Sequence, residues 1–175
     1  KTAEVVQNLL VSHPKLWDLD FPYRYTVETI IKKGGKTIDK YLTPFGIRSV
    51  KFDKDKGFFL NNKHLKLKGM CLHQDAGCLG TAVPDRAYER RLLILKEFGT
   101  NAIRCSHNPP SPEFLNYCDS IGFLVIDEAF DKWKSGYYEE FFDSSWQQDI
   151  SDMVIRDRNH PSVILWSIGN ELAEA

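Results

Sequence analysis

The chain has 175 residues, and its 23 basic and 24 acidic side chains give a formal net charge of −1 at pH 7. Hydrophobic residues make up 42% of it and aromatic residues 13%, which excludes disorder and allows a packed core. The balanced charge, without a basic run, gives no reason to expect nucleic acid or a membrane as a partner, and no apolar segment approaches the ~20 residues that span a bilayer.

The four cysteines show neither a C-x-x-C motif nor paired finger spacing. Neither a zinc site nor a disulfide framework is therefore expected, and we interpret them as buried free thiols. The N-terminal residues do not form a signal peptide. Because an export signal could precede a partial chain, the localisation, cytoplasmic or periplasmic to secreted, is left open.

The first part of the sequence predicts antiparallel β structure. Side chains alternate over residues 23–31, a turn rich in Gly and Lys follows, and residues 37–42 and 45–52 continue with strand-like composition. Three or four strands do not close a sandwich, so we expect the chain to begin partway through a β domain.

From residue 57 onwards the pattern of predicted secondary structure changes. A hairpin over residues 57–69, with Asn61 and Asn62 at its turn, leads into alternating strands and helices. The strands are predicted at residues 67–73, 101–106, 123–127 and 163–167, and the helices at residues 85–98, 112–121 and 144–158. Such alternation indicates parallel strands with right-handed crossovers. No G-x-G-x-x-G spacing follows the first strand, which disfavours a nucleotide-binding fold.

Each of these parallel strands ends in polar residues. Ligands of parallel α/β folds bind at the carboxyl ends of the strands, so we expect these groups to gather on one rim. They are His73 and Asp75, then Arg104, Ser106 and His107, then Asp127 and Glu128, and finally Asn170 and Glu171.

Two long motifs identify a family. Asn-Ala-Ile-Arg-Cys-Ser-His-Asn-Pro at residues 101–109, with Phe114, Asp119 and Gly122 beyond it, closely resembles the first signature of glycoside hydrolase family 2. Residues 157–171, which end in Trp-Ser-Ile-Gly-Asn-Glu, resemble the second signature, which contains the acid/base glutamate of the family.

The family includes β-galactosidases, β-glucuronidases and β-mannosidases, built from a jelly roll, an immunoglobulin-like sandwich and a (β/α)₈ barrel. The resemblance implies a mixed fold. Residues 1–52 would be the C-terminal strands of the immunoglobulin-like β-sandwich, and residues 53–175 the N-terminal half of a TIM-barrel catalytic domain, about four βα units. The nucleophilic glutamate of the family lies on a later strand, so the rest of a parent chain would be needed to complete the barrel, and a homo-oligomer is left open.

Two positions depart from the family pattern. Asn108 stands where the family usually has Tyr, and residues 127–134 lack the Glu-x-His of magnesium-dependent β-galactosidases. We therefore expect neither a catalytic-site metal nor a cofactor.

The resemblance assigns the central role to Glu171, which would protonate the leaving glycosidic oxygen and then deprotonate the attacking water. Partial burial against Trp166 would favour its protonated form. The alternative is a surface Glu that opens a helix. Asn170 would bond the sugar 2-hydroxyl, with a helix N-cap as its alternative.

Arg104 would orient the nucleophile, or else form a structural ion pair with Asp127 or Glu128. His73 and His107 could bond sugar hydroxyls. Asp75, Asp127 and Glu128 are further substrate-binding candidates that could instead hold neighbouring loops, and Trp166 could lie beneath the sugar or fill the barrel.

The leading hypothesis is a retaining glycosidase for terminal β-linked sugars, most simply a β-galactosidase, with β-glucuronidase or β-mannosidase specificity as alternatives. A metal-dependent hydrolase would use His73, Asp75, His107 and Asp127 as ligands. The third hypothesis is a non-catalytic carbohydrate-binding fragment. We expect the isolated chain to be inactive and prone to aggregate, because half a barrel exposes unpaired strand edges.

Overall fold

The computed structural model describes residues 4–172. An antiparallel pair comes first, formed by β1 (Tyr25–Lys33) and β2 (Lys36–Phe45). A small antiparallel sheet follows, in the order β3 (Val50–Asp53), β4 (Gly57–Leu60) and β5 (Lys63–His64). The last sheet is parallel, in the order β6 (Gly69–His73), β7 (Ala102–Ser106), β8 (Leu124–Glu128) and β9 (Val163–Ser167).

Three helices connect the parallel strands. They are α1 (Asp85–Glu97), α2 (Pro112–Ile121) and α3 (Glu139–Asp157). The helix predicted over residues 112–121 is found with the same bounds. Ser111 caps it through its side chain, and Gly122 ends it in the left-handed conformation. The helix predicted to begin at residue 144 begins at Glu139 instead. No helix within residues 4–172 has the length and apolarity that a membrane crossing requires.

The continuous strand predicted over residues 45–52 is wrong. β2 ends at Phe45, and the chain resumes as a strand only at Val50, which pairs with Leu60 of β4. At the interruption the backbone lies so close to Pro161 that a Cβ at Gly46 would be 2.6 Å from the Pro161 side chain. Arg48 donates to the carbonyl oxygens of Pro161 and Val163. Residues 46–49 therefore dock against the N-terminal end of β9 rather than extending a sheet.

Trp17 anchors the N-terminal segment to the parallel sheet. Its indole is fully buried among Phe58, Leu60, Ala102 and Leu124, and its Nε1 donates to the carbonyl oxygen of Asp119 at 2.8 Å. Ala102 and Leu124 are the first residues of their strands. This cluster consequently closes the N-terminal end of the parallel sheet, opposite to the end where ligands are expected.

The main core lies between the parallel sheet and the helices. Side chains alternate along a strand, so every second residue faces the helices. Ile103, Cys105 and Val125 pack in this way against Leu92 of α1 and Leu115 of α2. The opposite face of the same strands carries the polar groups of the candidate site.

Candidate active site

A polar network lies at the carboxyl end of the parallel sheet. The pairing places Glu128 opposite Ser167 and Arg104 opposite Ile126. Glu128 is at the centre of this network, and its side-chain contacts reach three elements: β7, the loop after β7, and β9. The predicted gathering of strand-end groups is thus found for Arg104, His107, Glu128 and Asn170.

The carboxylate of Glu128 is fully buried, and both its oxygens accept hydrogen bonds. His107 Nδ1 lies 2.6 Å from Oε1, and Arg104 donates from Nε at 2.9 Å and from Nη2 at 2.8 Å to Oε2. Ser167 Oγ donates to Oε2 at 2.7 Å. Burial alone would raise the pKa of Glu128, but these donors together lower it. Glu128 is therefore an ionised anchor whose lone pairs are already used by protein groups.

Arg104 links this anchor to the end of β9. Its pKa is raised, chiefly by the hydrogen bond with Glu128, so the guanidinium carries a permanent charge. The same Nη2 donates to Oδ1 of Asn170 at 3.0 Å. The structural ion pair with Glu128 considered from the sequence is present, and the contact with Asn170 is additional to it. The contact expected with a nucleophile stays a prediction.

Residues 129–133, called here the β8 loop, hold the segment that carries Asn170 and Glu171. The backbone N–H of Asn170 lies within hydrogen-bonding distance of two carbonyl oxygens, that of Phe130 at 3.1 Å and that of Asp131 at 2.9 Å. Trp133 Nε1 donates to the carbonyl oxygen of Ile168 at 2.8 Å. The position of Asn170 and Glu171 is thus set by the neighbouring strand's loop as well as by β9.

Glu171 follows Asn170 in a left-handed backbone conformation, with φ of 48°. Its side chain is 70% exposed and lies 3.1 Å from Lys132 Nζ. The burial against Trp166 that the sequence suggested is therefore wrong for this structure. Trp166 packs against the helix-side clusters instead, because the register shift between β8 and β9 pairs it with Asp127, which also faces the helices. The packing of Trp166 therefore supports a core-filling function more than a position beneath the sugar.

His73 and His107 meet at the rim, as expected from their positions after β6 and β7. Their rings form an edge-to-face pair with centroids 5.2 Å apart. Because ionised Glu128 can only accept, Nδ1 of His107 carries the hydrogen. Asp75 is exposed, and only its backbone carbonyl is engaged, by Arg91. Asp75 therefore stands apart from the network.

Asp127 does not face the rim at all. Its side chain is fully buried on the helix side of β8, and neither carboxyl oxygen has a hydrogen-bond partner among the described residues. Burial first, and then the nearby carboxylate of Asp157 on α3, raise the pKa of Asp127 to about 8. The substrate contact considered for Asp127 is corrected accordingly, because the alternation along β8 directs it away from the ligand side.

The ligand set of the metal-hydrolase hypothesis is not assembled. Asp127 faces the helices and Asp75 stands apart, so two of its four ligands do not join His73 and His107. Within residues 4–172 we find no group of three or more His, Cys, Asp or Glu side chains placed to hold a metal ion.

Asn108, where the family pattern has Tyr, turns toward the loop after β6. Its Nδ2 contacts Oε1 of Gln74 and donates to the carbonyl oxygen of Pro109 at 3.0 Å. A cavity of about 890 Å³ opens beside the network, between Asn108 and the β8 loop. Its lining also includes Lys132, Tyr138 and Arg156.

Sequence reasoning missed three contributors: Ser167, Asp131 and Lys132. Ser167 could have been found, since it is the last residue of a strand whose neighbours end in acids. Asp131 and Lys132 lie in the segment, residues 127–134, that lacks the Glu-x-His motif. Their contacts with Asn170 and Glu171 join positions about forty residues apart, and no local pattern indicates them.

Two family models match the chain. Residues 1–48 match "Glycosyl hydrolases family 2", and residues 50–175 match "Glycosyl hydrolases family 2, TIM barrel domain". The chain belongs to glycosyl hydrolase family 2. The predicted family and fold class are therefore confirmed: the end of the domain before the barrel, then the start of the TIM barrel. The exact boundary between residues 52 and 53 stays a prediction.

Curated relatives of family 2 carry two enzyme names. The chain is similar to the β-galactosidase BoGH2A of Bacteroides ovatus, with 51% identity over 99% of this chain and 21% of the relative. A β-glucuronidase of Bacteroides fragilis is 35% identical over 98% of this chain and 26% of the relative. The chain thus spans about a fifth to a quarter of the length of these relatives.

Two solved structures agree with the fold. A family 2 member from Bacteroides cellulosilyticus matches with a TM-score of 0.87 and 52% identity, covering 91% of this chain and 21% of that one. A β-glycosidase from Bacteroides vulgatus matches with a TM-score of 0.89 and 46% identity, over 93% and 22% of the two chains.

Proposed function

We propose that the full-length protein containing this chain is a retaining glycosidase that hydrolyses terminal β-linked sugars through a glycosyl-enzyme intermediate. The observation that carries the proposal is the Asn170-Glu171 pair, held at the carboxyl end of β9 by Arg104 and the β8 loop. Membership of family 2 supports the reaction class. The lining of the open cavity includes Asp131 and Lys132, which contact Asn170 and Glu171.

Glu171 is the proposed acid/base. Its exposed carboxyl group is accessible to a glycosidic oxygen, and Lys132 lies 3.1 Å from it. In the first step Glu171 gives its proton to the leaving oxygen while a nucleophile attacks the anomeric carbon. In the second step it takes a proton from the water that attacks the same carbon, which releases the sugar with net retention.

The nucleophile is proposed to lie outside this chain. Glu128 is a poor candidate because its two oxygens accept hydrogen bonds from His107, Arg104 and Ser167. Such saturation stabilises the carboxylate and lowers its nucleophilic reactivity. Arg104 and His107 are proposed to contribute charge and hydrogen bonds at the rim, where they would orient the sugar and the nucleophile.

The proposed substrate is a β-galactoside, with a β-glucuronide as the second candidate. The most similar curated relative described above is a β-galactosidase, whereas another relative is a β-glucuronidase. Comparing kcat/KM of the full-length protein on nitrophenyl β-galactoside and nitrophenyl β-glucuronide separates the two. A β-mannoside belongs in the same panel.

Replacing the acid tests the mechanism. In the full-length protein, Glu171→Gln should lower kcat/KM by roughly 10²- to 10⁴-fold for an alkyl β-glycoside, whose leaving group needs a proton. A dinitrophenyl glycoside should still release a burst of phenolate, because its leaving group departs unassisted. Glu140→Gln, at an exposed position of α3, is the matched control. Full activity of the Glu171→Gln variant on the alkyl glycoside would remove Glu171 from the mechanism.

A further inference from the structure

The amide of Asn170 is held between two partners of opposite charge. Arg104 Nη2 donates to its Oδ1 at 3.0 Å, and its Nδ2 donates to Asp131 Oδ1 at 3.0 Å. The Asn170 amide in turn lowers the pKa of Asp131, with help from Lys132. Asp131 is therefore a carboxylate that accepts from Asn170 without carrying a proton of its own.

These two partners select one of the two orientations of the amide. A rotation by 180° would turn the NH₂ group of Asn170 toward the Arg104 guanidinium, so that two donors would face each other. It would also turn the carbonyl oxygen toward Asp131, so that two acceptors would meet. Both ends of the amide consequently oppose the flip.

The selected orientation leaves one donor available. Nδ2 carries two hydrogens, and among the described residues only Asp131 accepts from it. The second hydrogen is thus free to donate to a ligand at the rim. In the flipped state Asn170 would present an acceptor in that place and could not donate.

We propose that Asp131 is a positioning residue that fixes the Asn170 amide so that Nδ2 donates to the 2-hydroxyl of the sugar. This inference rests on the proposed glycosidase function. Arg104 alone holds the oxygen end of the amide but leaves the nitrogen end able to drift. Asp131 completes the restraint from the neighbouring strand's loop, and its effect on the 2-hydroxyl contact is exerted through Asn170. Asp131 Oδ1 also lies 3.4 Å from Nζ of Lys132, the residue that contacts Glu171, and an effect by that route would not depend on the 2-hydroxyl.

The side chain of Asp131 is separable from the backbone contacts that hold the same segment. The N–H of Asn170 is bound by backbone carbonyls of the β8 loop, and Ile168 is bound by Trp133. Removing the carboxylate therefore leaves these contacts in place. The side chain of Asp131 is 56% exposed, so its removal creates no buried cavity.

The test compares a sugar that has the 2-hydroxyl with one that lacks it. The probes are the nitrophenyl β-glycoside that the full-length protein hydrolyses fastest and its 2-deoxy analogue. Asp131→Ala should lower kcat/KM for the parent glycoside by roughly tenfold, the loss typical of one charge-assisted hydrogen bond that acts in the transition state. For the 2-deoxy analogue, the same substitution should change kcat/KM by less than about twofold.

Two further variants sharpen the comparison. Asp131→Asn keeps an acceptor oxygen at nearly the same position and should restore most of the parent activity. The Asn170→Ala, Asp131→Ala double variant should be no slower than Asn170→Ala alone, because both substitutions act on the same contact, the hydrogen bond from Nδ2 to the sugar 2-hydroxyl. Asp39→Ala, at an exposed position of β2, controls for the loss of an acid elsewhere.

The outcomes distinguish the positioning role of Asp131 from the proposed glycosidase mechanism on which it rests. A loss that is equal for the parent and 2-deoxy glycosides, or no loss at all, overturns the positioning role of Asp131. If Asn170→Ala itself leaves the parent activity unchanged, the 2-hydroxyl contact fails and the inference fails with it. If Glu171→Gln is fully active on alkyl glycosides, the proposed acid/base mechanism fails first.

Discussion

Asp127 and Glu128 are adjacent in the chain and both fully buried, yet their carboxyl groups lie on opposite faces of β8. Glu128 meets Arg104, His107 and Ser167 on the ligand side. Asp127 meets helix α3, where Asp157 is its charged neighbour. On the ligand side, the hydrogen-bond donors around Glu128 lower its pKa. On the helix side, burial and the neighbouring carboxylate of Asp157 raise the pKa of Asp127.

The first prediction concerns Asp127. The pKa rises from 3.8 to about 8 on folding, so between these values the folded protein binds more protons than the unfolded one. Stability therefore falls as the pH rises through this window. Asp127→Asn has a neutral side chain at every pH. The free energy of unfolding of this variant, relative to that of the wild type, should therefore increase by at least about 1 kcal/mol from pH 5 to pH 8.

Urea unfolding midpoints of the full-length protein at pH 5 and pH 8 measure this gain. Asp55→Asn, at an exposed position, is the matched control and should show no such trend. A difference between Asp127→Asn and wild type that stays constant across the two pH values would contradict the assignment of a neutral, buried Asp127.

The second prediction concerns Glu128. In Glu128→Gln an NH₂ group replaces one of the carboxylate oxygens, and it must face Arg104, His107 or Ser167, which are all donors here. Breaking a buried charge pair in this way should cost about 3 kcal/mol of stability. The kcat/KM should fall at least about 100-fold, because Arg104 also holds Asn170.

Thermal unfolding and steady-state kinetics of the full-length protein check this loss. Ser167→Ala is the milder companion, since it removes one donor and keeps the charge, and it should cost only about 1 kcal/mol. An unchanged melting temperature for Glu128→Gln would show that the network contributes little to the stability of the fold.

The third prediction compares two glycines. Gly122 and Gly35 have similar positive φ angles, 84° and 79°. A Cβ at Gly122 would lie 2.3 Å from the carbonyl oxygen of Leu19, whereas nothing lies within 4 Å of one at Gly35. Gly35→Ala should cost about 1 kcal/mol of conformational strain, and Gly122→Ala at least about 2 kcal/mol more.

Unfolding midpoints of the two alanine variants measure the difference. Equal losses would mean that the segment around Leu19 moves away without cost, and that its packing against the end of α2 is not needed for stability.

Much of the fold could be predicted because its signals are local. The apolar run that begins at Val163 placed β9 correctly, and Gly122 marked the end of α2. The β8 strand was also predicted, together with its acidic end. The segment at residues 46–49 could not be predicted, because a contact with Pro161 decides its course.

The site was only partly predictable for a related reason. A strand end indicates that polar groups gather, but the side on which each one lies depends on strand alternation and register. The pairing of β8 with β9 shifts between Val125 and Ile126, and the sequence gives no sign of that irregularity. The roles of Asp131 and Lys132 depend on where the β8 loop meets Asn170 and Glu171 in space.

The order of the parallel strands in space equals their order in the chain, from β6 to β9. Each new strand therefore pairs with the one made just before it, and no strand has to insert between two others. During synthesis the sheet can grow by one βα unit at a time, with each finished edge acting as the template for the next unit. Asn170 and Glu171 come at the end of the fourth strand, when Arg104, Glu128 and the β8 loop that receive them are already in place.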